Sequence, residues 1–64
     1  MDGILVTNEN AQSLFEKVAS KQVETETLGL DSESGCMTRE YKFTDGERLS
    51  LLFSPYSRWW REFD

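Results

Sequence analysis

Histidine is absent from this chain of 64 residues, and cysteine and proline each occur once. Without an imidazole the protein lacks the commonest general base, the commonest transition-metal ligand and the usual switch near neutral pH. Cys36 stands alone, so no internal disulfide forms and a Cys–His nucleophile is excluded; packing as a small apolar residue is its expected use. Secreted domains this short ordinarily depend on disulfide staples, so the expected compartment is a reducing cytoplasm. Long apolar runs are missing too. Ile4-Leu5-Val6 has only three consecutive apolar residues with no basic segment before it, which predicts neither a secretory leader nor a membrane anchor. Glycine-rich phosphate loops, zinc-ligand spacings, Ser–His–Asp sets and internal repeats do not occur. These absences predict a non-enzymatic protein with no cofactor and no metal.

Basic residues are also scarce. Seven stand against twelve acidic ones, for a net charge of −5, which disfavours attraction to nucleic acid or anionic lipid. Residues 1–35 hold two lysines and seven acids, whereas residues 36–64 hold five of each sign. The acidic half, with Glu9, Glu16, Glu24, Glu26, Asp31 and Glu33, has the composition of a nucleic-acid mimic that occupies a basic groove on another protein. A solvated acidic surface is the commoner use of such residues. Glu24 with Glu26, two apart on a strand, and the Asp31–Gly35 segment are weak candidates for acid–base or cation chemistry, because no pocket or full calcium loop accompanies them.

Hydrophobic residues make up 38% of the chain, adequate for one compact core and one domain spanning residues 1–64. Ala11, Leu14, Phe15, Val18 and Ala19 recur at helical spacing, with Thr7 or Asn8 as the expected N-cap, Glu9 in the first turn and Lys17 and Lys21 near the end. Val23, Thr25 and Thr27 then alternate with acids, predicting a strand over about residues 22–28, followed by a loop at Asp31–Gly35. Further strands are expected at 37–43 and 47–53.

The connection between the last two strands can be tested by register. A two-residue turn at Asp45-Gly46 sets Phe43 opposite Arg48 and mixes charge with apolar residues on both faces. A three-residue loop, Thr44-Asp45-Gly46, closed by Gly46 at positive φ, instead sets Tyr41 opposite Leu49, Arg39 opposite Leu51 and Met37 opposite Phe53. Met37, Tyr41, Phe43, Leu49, Leu51 and Phe53 then share a face against the helix. For the first strand two registers compete: Val23 opposite Phe43 leaves Leu28 outside, and a shift by one brings Leu28 and Leu30 inward. The sequence leaves this open.

Pro55 ends the last strand. The following segment packs four aromatics and two arginines into eight residues, Tyr56 to Phe63, and a short helical turn capped by Ser57 is expected there. One indole is expected to close the core, and some aromatic surface is expected to stay exposed, since neighbouring residues cannot all point inward. The expected fold is α+β: one N-terminal helix packed on a three-stranded antiparallel meander, optionally extended by Ile4–Val6, with a short aromatic C-terminal turn. The expected function is non-catalytic binding of another protein, as an adaptor, inhibitor or regulator, through Tyr56, Arg58, Trp59, Trp60 and Arg61. Should the domain form a homodimer, this segment or an edge strand is the expected seam. The alternatives are a nucleic-acid-associated module that stacks bases on the Arg/Trp segment, and the acidic mimic.

Overall fold

A computed structural model describes residues 3–63; Met1, Asp2 and Asp64 lie outside the described residues. The elements are β1 (Ile4–Leu5), α1 (Ala11–Ala19), β2 (Val23–Leu30), β3 (Met37–Phe43), β4 (Arg48–Phe53) and α2 (Trp59–Glu62). They form one sheet in the order β1-β4-β3-β2. The antiparallel meander and the packed helix are as expected, but the sheet has four strands and is mixed, because β1 joins β4 in parallel. Since β4, β3 and β2 alternate in direction, β1 and β2 run the same way at opposite edges, and α1 is the crossover between them. The optional extension by Ile4–Val6 is realised as the edge strand Ile4–Leu5; two residues carry no periodicity from which its parallel pairing with β4 could be read.

The β3–β4 connection is the three-residue loop. Phe43 N–H donates to the Glu47 carbonyl (2.9 Å), and Gly46 sits at φ +90°. The pairs Tyr41 with Leu49, Arg39 with Leu51 and Met37 with Phe53 follow. Asp45 secures the turn by accepting from the Glu47 N–H (2.9 Å), and Lys21, just beyond α1, bridges to both Asp45 and Glu47. The Glu47 N–H and then the Lys21 ammonium hold the Asp45 carboxyl below its ordinary range.

The two competing registers of β2 both occur. Val23 faces Phe43, but Thr25 faces Lys42 and Glu26 faces Tyr41, so Glu24 is the extra residue of a β-bulge. Beyond the bulge, Leu28 and Leu30 turn to the helix side, opposite Arg39 and Met37. Turning inward does not cover them. Every residue of β2 is exposed, because α1 and α2 pack over β3 and β4.

The core consists of Val6, Ala11, Tyr41, Phe43, Leu49, Leu51, Phe53 and Phe63, with Leu14, Val18, Met37, Trp59 and Trp60 packed against it. Phe63, rather than an indole, seals the C-terminal end; its ring meets Phe53 and Phe15 edge to face at 5.4 and 5.6 Å. At the start of α1, Asn10 takes the N-cap position expected of Thr7 or Asn8. Its amide faces backwards, accepting from the Thr7 N–H (2.8 Å) and donating to the Leu5 carbonyl (2.9 Å), so it braces the β1–α1 turn instead of capping the helix. Glu9 accordingly falls before the first turn, while Lys17 lies in the last.

Candidate functional site

The aromatic segment is positioned by the end of β4. After Phe53 the chain leaves the sheet at Ser54-Pro55, and the Ser57 N–H returns to the Ser54 carbonyl (3.0 Å). The Ser57 hydroxyl then accepts from the Trp59 N–H (3.2 Å), but the N-cap position of α2 falls to Arg58, one residue beyond the expected Ser57. A helix this short has no stability of its own and forms only where tertiary contacts hold it. Among these are Phe63 in the core and Arg39 beneath Trp60.

Arg39 lies on the apolar face of β3 and is only 1% exposed. Its guanidinium stacks on the Trp60 ring at 4.1 Å, donates to the Trp60 carbonyl (2.8 Å) and donates to Glu26 (3.1 Å). One side chain therefore ties α2 to β3 and to β2. Beside it, burial, followed by the Glu26 carboxylate, pushes the Tyr41 phenol up to about 12.

The residues expected to form the contact surface split into two groups around the Ser54–Arg58 link. Tyr56 stands out from the link and is 97% exposed. Trp59 faces one side, half-buried, with its indole N–H donating to Asn8 (2.8 Å) and the Arg58 guanidinium over its ring at 4.5 Å. Trp60 faces the other, half-buried against the edge of Phe53 at 5.3 Å, with Arg61 exposed beside it. Shallow depressions of about 510 and 560 Å³ flank the link; Tyr56 and Arg58 line both, Trp59 only the first, and Trp60 and Arg61 only the second. The five residues thus make a ridge with two flanks, not a single patch.

Arg39, Asn8 and Met37 contribute to this region without having been singled out from sequence. For Arg39 the signal was available: the correct hairpin register sets it opposite Leu51, on the core face, and a charge there needs partners. The Glu24 and Glu26 carboxylates, expected to point the same way, serve different cations, Glu24 with Lys42 (3.7 Å) and Glu26 with Arg39, because the bulge intervenes. Asp31 organises its own loop, accepting from the Ser34 hydroxyl (2.6 Å), which holds its carboxyl below the ordinary range. Cys36 is a free thiol of intermediate exposure at the entry to β3. Among the described residues no helix is long and apolar enough to cross a membrane.

No protein-family model, curated protein or solved structure matches the chain.

Proposed function

We propose that this domain is a non-catalytic protein-binding module, an adaptor, inhibitor or regulator acting in the cytoplasm, whose contact surface is the ridge of Tyr56, Arg58, Trp59, Trp60 and Arg61. The observation that carries this reading is the placement of Tyr56: a large ring, 97% exposed, on a short link held at both ends by buried anchors. Keeping such a ring in water has no folding benefit, while a large aromatic with few rotors, lining the same depressions as Arg58, gives contact area at low entropic cost on binding.

The test is affinity capture from extracts of the native host, comparing the unaltered protein with Tyr56→Ala combined with Arg58→Ala and Arg61→Ala. These positions are exposed, so the fold is expected to persist, as circular dichroism will check. Loss of a specific captured protein supports the reading; identical capture by the triple variant refutes it.

A second reading is favoured by the same ring and the exposed arginines beside it: stacking of a single-stranded nucleic acid on Tyr56. It predicts salt-sensitive quenching of intrinsic fluorescence by an oligonucleotide. The indole faces carrying Arg58 and Arg39 are less open to a base, which leaves protein binding as the stronger reading.

A further inference from the structure

The sheet ends at β2, a strand of eight residues with every residue exposed. A free edge presents unpaired N–H and C=O groups that invite another strand, and folded proteins usually blunt it with charges, proline or a bulge. The first half of β2 is blunted in this way by the bulge at Glu24 and by the Glu24 and Glu26 carboxylates. The second half, Thr27-Leu28-Gly29-Leu30, has no charge, proline or bulge, and Leu28 and Leu30 are 53% and 70% exposed.

Backbone alternation decides which groups this edge offers. Asp31 N–H donates to the Cys36 carbonyl (2.8 Å), so in the antiparallel ladder Gly29, Thr27 and Thr25 also direct their backbone groups toward β3. Those of Glu26, Leu28 and Leu30 therefore point away from the sheet. The outward hydrogen-bonding positions and the exposed leucines are the same residues.

We propose that β2 pairs antiparallel with β2 of a second copy of this chain, about a two-fold axis at Gly29. In this register Leu28 faces the partner subunit's Leu30, Leu30 faces the partner subunit's Leu28, and the axial glycines meet at a closely spaced pair, where a missing side chain eases approach. A second copy is the occupant because Leu28-Gly29-Leu30 reads the same in both directions, so the strand is its own complement. The acids agree. Asp31 falls opposite the partner subunit's Thr27, while Glu24 and Glu26 run past the end of the opposing strand, which turns into its own loop after residue 31, so no carboxylate faces another in the ladder. Sliding to set Leu28 against itself places Leu30 opposite a glutamate and loses the leucine pairing. The contact is small and joins two chains of net charge −5, so the dimer is concentration-dependent and tightens as salt screens the repulsion.

Sedimentation velocity over a range of protein and salt concentrations tests this. The unaltered chain is expected to pass from monomer to dimer with concentration, at lower concentration in high salt. Leu28→Lys and Leu30→Glu, each at an exposed position, are each expected to weaken dimerisation by about tenfold or more. Combined, they are expected to restore it, because each introduced cation then faces an introduced anion across the axis. A chain that stays monomeric throughout, single variants that dimerise as well as the unaltered protein, or a double variant no better than either single one each overturns the proposal. So does a dimer abolished by Tyr56→Ala, which would place the seam on the ridge instead.

Discussion

Replacing Arg39 by methionine tests the reasoning most directly, because it removes the charge while leaving side-chain volume in a site only 1% exposed. The interactions at stake include the hydrogen bonds to the Trp60 carbonyl and to Glu26 and the stacking on the Trp60 ring. A hydrogen bond involving a charged group contributes about 1.5–3 kcal/mol and a cation–π contact about 0.5–2 kcal/mol. Against these stands the desolvation of the guanidinium, which disappears in the variant; well-packed apolar replacements of whole buried ion pairs can even stabilise. Here the partner Glu26 is 37% exposed at its side chain and regains water when Arg39 is lost, so the large penalty for stranding a buried charge does not apply. What has no substitute is the bond and stacking that hold the single turn of α2. We expect a net loss of about 2 kcal/mol. For 64 residues total stability is on the order of 3–10 kcal/mol, so this is a large fraction of it. Urea unfolding followed by tryptophan fluorescence reads the change as a lower midpoint, and Trp60 reports loosening of α2 as a change in the native signal. A midpoint equal to or above that of the unaltered protein refutes the view that Arg39 holds α2.

Two further outcomes follow from the turn and from Tyr41. At Gly46, φ is +90° and an added Cβ would meet nothing within 4 Å, so Gly46→Ala is expected to cost about 1–2 kcal/mol through backbone strain alone, read as a thermal midpoint lower by several degrees; Gly46→Asn is expected to cost less, and an unchanged midpoint for both contradicts the loop assignment. Because the Tyr41 phenol rises from 10.0 to about 12 in the folded protein, the fold favours the neutral ring. Its stabilising effect is complete below pH 10.0 and is lost as the pH climbs toward about 12. Urea midpoints across that window are expected to fall more steeply for the unaltered chain than for Tyr41→Phe; parallel curves contradict the assignment.

The hairpin shows how far a pattern can carry. The positions of Tyr41, Leu49, Leu51 and Phe53 admit one register that gathers the apolar residues on one face, with Arg39 the one charge among them, and it dictates both the loop length and the positive φ of Gly46. The helix was legible for the same reason, with Ala11, Leu14 and Val18 packed inward. Ser57 and Pro55 marked the turn that carries the aromatic segment. The bulge at Glu24 was not legible, because each competing register was right for half of the strand. Sequence alternation presents those halves as a conflict; only the geometry of one extra residue makes them compatible.

Periodicity by itself determined that α1 is helical and that β2, β3 and β4 are extended, and in β3 and β4 also which residues share a face, because those are properties of a chain with a fixed repeat. Tertiary structure alone decided that Ile4–Leu5 pairs in parallel with β4, that Trp60 is the ring stacked on Arg39, that Phe63 and not an indole closes the core, and that β2 is left without a cover. Each of these depends on residues far apart in the chain arriving at one place, and neither hydrophobic spacing nor local propensity encodes which distant group will be there.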